Sequence, residues 1–320
     1  MSSGVLTKRQ QNRLDKGVSG TSKWTLVKRY WVLYVMLILP MAYFVIFRYL
    51  PMEYLAMAFK ENNIIKPLWE VPWVGLKNFE RAFGDRDFWN ALRNTFMLNI
   101  LDIGFGFPAP IILAIILNEL VFKRFKRVTQ TIAYMPHFLS WVIIYGLAMR
   151  LFAPTDGLVN ILMNRAGYES ISFFDKPNNW VATYVFLGIW QSVGWNTIIY
   201  LAAITNINPE LYEAAAVDGA GRLRRIWHIT LPGIKPTIVV LLILTMGGLI
   251  GGGFERPWVL RNPMVYDVAT VLPVYVYTKG LLNYQFSLTT AVGMFQSVVG
   301  LFFVLGANFF ARKVGERGLW

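Results

Sequence analysis

Six apolar stretches, residues 30–47, 95–117, 133–152, 181–203, 237–254 and 289–310, punctuate the chain. The hydrocarbon core of a bilayer is roughly 30 Å thick, and a helix needs about 20 apolar residues to cross it. Backbone polar groups in lipid must satisfy one another, so a chain with such stretches folds as a set of spanning helices. The expected fold is therefore all-α and integral to a membrane, with six transmembrane helices. A composition that is 55% hydrophobic and only 15% charged excludes disorder and an ordinary soluble fold. Pro40, Pro108, Pro110 and Pro136 fall inside the stretches, which membrane helices tolerate when neighbours satisfy the freed backbone groups. The first stretch outruns a signal-peptide core and leads into "FRYLPMEY" rather than a small-residue cleavage site. It is expected to stay as an uncleaved span.

Charge placement sets the expected orientation. Residues 1–29 carry seven Lys or Arg against one acid, Asp15. Lys123, Arg124, Lys126 and Arg127 crowd the second-to-third connection, Arg222, Arg224, Arg225 and Lys235 the fourth-to-fifth, and Arg312, Lys313 and Arg317 the end. Residues 48–90 instead balance six basic residues with six acids. Basic loops stay on the cytoplasmic side, so both termini and both basic connections are expected there. The net charge of +13 would suggest nucleic acid for a soluble domain, but here topology accounts for it and no nucleic-acid partner is expected. The organisation read from this pattern is a cytoplasmic basic tail, 1–29, and one six-span domain, 30–320. Without cysteine, disulfide and thiolate chemistry are excluded, and two histidines are too few for a histidine-based metal site.

Between the fourth and fifth stretches runs "NPELYEAAAVDGAGRLRRIWHITLP". Asn208 is a good N-cap, Pro209 suits the first helical position, and Glu210 complements the helix dipole. Gly219 supplies a turn, with Gly221 as a second flexible point. Leu223, Ile226 and Trp227 follow at i, i+3, i+4, which predicts a shared face, and Pro232 and Pro236 are expected to end the second helix. A helix-turn-helix elbow over residues 208–236 results. Its chemistry suits a lipid surface, a groove on a partner protein or, with little freedom between two spans, a nucleic-acid groove.

Spacing decides among these. Glu213, Ala214, Ala215, Gly219, Ile229, Leu231 and Pro232 fit the pattern E-A-A-x3-G-x9-I-x-L-P at every fixed position. This resembles the cytoplasmic signature of permease subunits of bacterial binding-protein-dependent ABC importers. "NTFMLNI" (94–100) and "YMPHFLSWV" (134–142) resemble the carbohydrate-uptake branch. "GGGFERPWVLRNPMVYDVATVLPVYVY" (251–277) and "AVGMFQSVVGLFFVLGAN" (291–308) are similar to its polysaccharide and oligosaccharide subgroup, whose members take up alginate, aldouronate or rhamnogalacturonan fragments. The resemblance implies a multi-pass protein of the bacterial cytoplasmic membrane that is not an enzyme. It implies a second, non-identical permease subunit, two ATPase subunits and an extracytoplasmic sugar-binding protein as partners. The elbow would dock on the ATPase, with Glu213 meeting a basic residue, Gly219 shaping the turn, and Leu223, Ile226 and Trp227 inserted as knobs. The chain has no G-x-x-x-x-G-K-[ST] phosphate loop. No cofactor is expected on it, and ATP-Mg would reside on the partner ATPase.

Sugars are held by aromatic platforms with amides and carboxylates around them. The fourth stretch offers Trp190, Gln191, Trp195 and Asn196, and Phe254 and Glu255 follow the triple glycine 251–253, which marks either unwinding or close helix contact. Asp102 lies within the second stretch and should face the interior with an Asn or Arg partner. His137 reads as a helix-end hydrogen bonder, and Trp69, Trp73, Trp89 and Trp180 as external edge or loop residues. The alternatives are a stand-alone secondary transporter or channel, which leaves the elbow unexplained, and a membrane enzyme, for which no catalytic cluster exists in the sequence.

Overall fold

A computed structural model describes residues 23–313 together with Gly315 and Gly318. Most of the basic tail expected before the first span lies outside the described residues. Among the described residues regular structure is helical, apart from one isolated bridge between Lys60 and Trp73. The long helices are α1 (Trp31–Phe59), α2 (Arg86–Glu119), α3 (Lys123–Phe138), α4 (Trp141–Phe152), α5 (Pro177–Thr205), α6 (Pro209–Val217), α7 (Arg222–Gly247), the short α8 (Glu255–Leu260) and α9 (Phe286–Lys313). Five of these, α1, α2, α5, α7 and α9, are long and apolar enough to cross a membrane, and the bent pair α3–α4 makes a sixth if counted as one span.

The chain divides into two compact units, Met1–Ala56 and Met57–Trp320. In the first, α1 has no buried residue between Trp31 and Phe44, because a lone apolar helix has nothing of its own to pack on. The second unit holds three apolar cores. One joins Trp180, Tyr184 and Leu187 of α5 to Leu98 of α2, Ile144 of α4 and Leu260 of α8. The next packs Phe88 of α2 against Leu272, Tyr275 and Leu288. The last gathers Ala114 and Leu117 of α2, Tyr200 and Ile204 of α5, and Ile234 of α7. Helix α2 enters all three and α5 two of them, so α2 is the axis of the unit.

Three boundaries differ from the sequence expectation. The third span is not straight: α3 and α4 meet at 109°, because Ser140 leaves the helical region and caps α4, its hydroxyl accepting from the Ile143 amide. Pro232 and Pro236 do not end the second elbow helix. A π turn over Ile226–Thr230 precedes Leu231, and the helix continues through both prolines to Gly247. The wider turn places Pro232 in the first turn of a new α-helical stretch, where its missing N–H is not needed. The fifth span consequently starts far earlier than residue 237 and stops at Gly247, short of the expected 254.

A polar seam positions everything after α7. Asn94, fully buried, donates through Nδ2 to the carbonyls of Asp267 (2.6 Å) and Thr270 (3.0 Å). Thr95 Oγ1 accepts from the Leu272 amide at 2.8 Å, and Asn99 Nδ2 donates to the Leu249 carbonyl at 2.9 Å. These three side chains of α2 satisfy three carbonyls and an amide of the 248–272 segment.

Candidate functional site

The seam ends at Asp102, which opens a π turn over Asp102–Gly106 just before Pro108. Such a turn leaves Pro108 where no donor is required and re-aims the side chains around it. Asp102 Oδ2 accepts from Arg256 Nη2 of α8 at 2.6 Å. The Arg256 guanidinium carbon lies 3.5 Å from the Tyr184 ring centroid and 5.7 Å from that of Trp141. A Cβ at Gly188 would collide with Arg256 Nη1, so only glycine on this turn of α5 leaves room for the guanidinium. The partner expected for Asp102 is thus an arginine. Arg256 pairs with it rather than with its neighbour Glu255, which stays exposed in the first turn of α8.

Around this pair lies a cavity of about 260 Å³, with Asn99, Ser192, Asn196 and Thr245 supplying polar atoms and Phe107 and Tyr200 supplying rings. It can offer hydroxyl-sized donors and acceptors on several sides, and its two charges cancel. Of the residues proposed from the sequence, Asn196 lines this cavity. Gln191 and Trp195 lie one helical turn apart on another face: Gln191 Nε2 donates to the His137 carbonyl at 3.4 Å, and Trp195 stacks on the His137 ring at 4.6 Å and 4°. They tie α5 to the end of α3. Trp190 is part-exposed and lines no described cavity. Phe254 belongs to a separate cluster with Trp258 and Tyr277. Trp180, expected at a membrane edge, is instead a core residue, 1% exposed, with Nε1 donating to the Leu260 carbonyl. Trp69, Trp73 and Trp89 are exposed. The seam residues Asn94, Thr95 and Asn99 were missed as functional supports. Amides recurring in an apolar stretch were their signal, since such groups need partners.

A second ionic cluster fastens the start of α2 to the segment before α9. The Tyr275 hydroxyl donates to Asp85 Oδ2 at 2.8 Å, and Lys279 Nζ sits 3.1 Å from both Asp85 and Asp87. Burial alone would raise the Asp85 pKa, but the Tyr275 hydroxyl, the Asp87 amide and Lys279 outweigh it and hold the carboxyl below its ordinary value. Burial would lower the Lys279 pKa, but its bonds to Asp87 and Asp85 raise it instead. A depressed acid stabilises above its unfolded pKa of about 3.9 and loses that contribution as pH falls through the folded value. A raised lysine stabilises below about 10.4 and loses it as pH rises. Thermal unfolding of the purified protein should therefore be insensitive to this cluster between about pH 5 and 9. Lys279→Met should lower the unfolding midpoint across that whole range by a constant amount, and a difference that titrates near pH 7 would contradict the assignment.

The elbow is built as a capped turn. Asn208 Oδ1 accepts from the Glu210 amide, opening α6. Gly219 has φ +73°, its amide donates to the Ala216 carbonyl and the Ala220 amide to that of Ala215. This is the reciprocal C-terminal motif that requires a left-handed residue one position past the helix. Tyr212 and Thr230 share a hydroxyl–hydroxyl bond of 3.0 Å, which closes α6 onto the π turn of α7. Leu223 and Trp227 project outward, 73% and 67% exposed, while Ile226 is half-buried. Ile226 opens the π turn of α7. Glu213, Ala214 and Pro232 are exposed, and Ala215 and Leu231 half-buried.

A bundle of this kind, with an interior polar cavity and a projecting capped elbow, is a membrane transport component. Residues 106–316 match the family described as the binding-protein-dependent transport system inner membrane component. The chain belongs to that family. It is 43% identical over 301 residues to protein LplB of Bacillus subtilis (strain 168), covering 94% of this chain and 95% of LplB. It is 46% identical over 288 residues to the polygalacturonan/rhamnogalacturonan transport system permease protein YteP of the same organism, covering 90% of each. Among solved structures it matches a bacterial ABC transporter involved in the import of the acidic polysaccharide alginate, at 41% identity and TM-score 0.85, over 91% of this chain and 98% of that one. A bacterial alginate ABC transporter in complex with an alginate pentasaccharide-bound periplasmic protein matches at 40% identity and TM-score 0.86, over 93% of this chain and 99% of that one. The protein is accordingly a multi-pass inner-membrane permease component of a sugar ABC importer, and not itself the catalytic part of one.

Proposed function

We propose that this permease passes an oligosaccharide, delivered by an external binding protein, along the cavity between α2, α5 and α8, on cycles driven by two ATPase subunits that grip the elbow. A second, non-identical permease completes the path, ATP-Mg resides on the ATPases, and both termini and the elbow face the cytoplasm. The observation that carries the reading is the elbow's construction. Gly219 turns the chain back through a left-handed cap, and the two bulky apolar side chains beyond it, Leu223 and Trp227, stand exposed on a basic segment. Exposed apolar knobs of this kind suit a groove on a protein partner. Glu213 and Ala214, exposed on α6 beside the turn, complete that surface, while Ile226, Leu231 and Pro232 continue it into α7. The basic segments, gathered at the elbow, the α2–α3 connection and the ends, support the orientation. The named substrates of the similar YteP and alginate systems support an oligosaccharide. Asn196, Asp102 and Arg256 supply polar contacts on the cavity side of α5, α2 and α8. A stand-alone transporter would have no use for the knobs.

The test is co-purification after gentle extraction of tagged protein. Wild type should bring an ATPase subunit and a second permease with it. Gly219→Val places a β-branched residue at a left-handed position, a strain of at least about 1–2 kcal/mol, and should lose the ATPase while keeping the permease. Failure of wild type to retain an ATPase would overturn the reading and leave the elbow as a lipid-surface feature.

A further inference from the structure

Helix α3 presents three arcs of different chemistry. Lys126, Thr129 and Ala133, at i, i+3, i+7, are half-buried, and a Cβ on Gly194 of α5 would collide with the Ala133 carbonyl. This arc is the protein side. Phe125, Val128 and Ile132 have the same spacing one position earlier and are 56–63% exposed, and Phe122 at the N-cap is exposed with them. Lys123, Arg124 and Arg127 take what is left of the circumference, all exposed. No Asp or Glu occurs between Glu119 and Asp156. Among the described residues Lys123, Arg124, Lys126 and Arg127 form no ion pair, whereas Arg256 and Lys279 each have an acid.

The bend constrains where this helix lies. It turns by 109° into α4, so the two cannot both stand along the membrane normal. Four charges in its first five residues keep that end out of the hydrocarbon. Were the same end to project into water, the apolar arc beside the charges would be left wet. A headgroup boundary meets both demands, with apolar side chains in the acyl region and cations among the phosphates. We infer that the first two turns of α3 bind anionic phospholipid, with Lys123, Arg124 and Arg127 on the headgroup phosphates and Phe122, Phe125 and Val128 on the acyl chains. Charge decides between lipid and a protein groove. The elbow mixes its arginines with Glu210, Glu213 and Asp218, which a protein surface can answer sign by sign. The start of α3 offers cations alone, which suit a uniformly negative surface. This site goes beyond the transport reading and depends on neither the sugar nor the ATPase.

The experiment uses the purified full chain in neutral detergent and follows its unfolding midpoint as phosphatidylglycerol, or phosphatidylcholine of the same chain length, is added. Phosphatidylglycerol should raise the wild-type midpoint beyond the phosphatidylcholine control, and the gain should shrink between about 0.1 M and about 0.5 M salt as screening sets in. In Lys123→Gln/Arg124→Gln/Arg127→Gln the half-saturating phosphatidylglycerol concentration should rise at least about tenfold, three cations having left the headgroup surface. Arg222→Gln/Arg224→Gln/Arg225→Gln removes the same charge from the elbow and should keep the wild-type value. Equal gains from both lipids in wild type, or a gain that salt leaves intact, overturn the site without recourse to any variant. A gain that inorganic phosphate reproduces makes this a free-anion site and overturns the lipid assignment. An elbow variant that weakens as much as the α3 variant reduces the effect to net charge and overturns it too. An α3 variant that keeps the phosphatidylglycerol gain but loses the ATPase on co-purification gives the face to a protein partner instead.

Discussion

Arg256→Met is expected to cost about 3 kcal/mol of stability, read in detergent as an unfolding midpoint lower by roughly 5–10 °C. Asp102 is the reason. In the native protein its carboxylate is answered by the Arg256 guanidinium at 2.6 Å, and that guanidinium is itself packed on Tyr184 and filled in by the missing Cβ of Gly188. Removing the arginine leaves the part-buried Asp102 carboxylate on the cavity wall without its counter-ion, and an unpaired charge there is costlier than a pair. Asp102→Leu alone should be damaging for the converse reason. The double variant Asp102→Leu/Arg256→Met should unfold closer to wild type than either single variant, because a well-packed apolar pair often replaces an ion pair at little cost. Sugar uptake by the assembled importer then separates two roles. A double variant that is stable yet inactive assigns the pair to the transport path, and one that is stable and active makes it purely a fastening of α8 to α2. If both single variants unfold like wild type, the pair carries no structural weight.

How far the amino-acid sequence discloses this molecule depends on the distance along the chain between interacting groups. The elbow was legible because its determinants are local: Asn208 caps two residues on, Gly219 closes on a carbonyl three residues back and Ala220 on one five back. The need of Asp102 for a partner was legible from the cost of a carboxylate in lipid, but its identity was not, since Arg256 is 154 positions away. Trp180 shows a different limit. A tryptophan at a span edge satisfies the rule for interfacial residues, yet the same position is buried if an irregular segment folds back over it, as residues 260–274 do here. Pro232 and Pro236 misled because a proline is a helix breaker only where an N–H is needed, and the π turn before them removes that need at Pro232.

Asn94→Leu should be the most disruptive replacement of an uncharged residue in α2. The amide is fully buried and closes two carbonyls, those of Asp267 and Thr270. Leucine is close in volume but donates nothing, so both carbonyls lose their donor, at about 1–3 kcal/mol each where water cannot reach them. The seam gives the loss its reach. Thr95 holds Leu272 and Asn99 holds Leu249 on the same helix, so loosening the Asn94 end of the seam frees the segment that carries α8, and with it the Arg256 contact to Asp102. Hydrogen exchange should report this directly. Amides of residues 262–272 should exchange at least about tenfold faster in Asn94→Leu, while those of the α6–α7 elbow stay as in wild type. Asn94→Asp isolates the donor from the shape, because its carboxylate keeps the volume and can donate only when protonated. If Asn94→Leu leaves exchange in 262–272 untouched, the segment is held by its apolar packing on Trp180 and Leu98 alone, and the seam is a consequence of the fold rather than one of its causes.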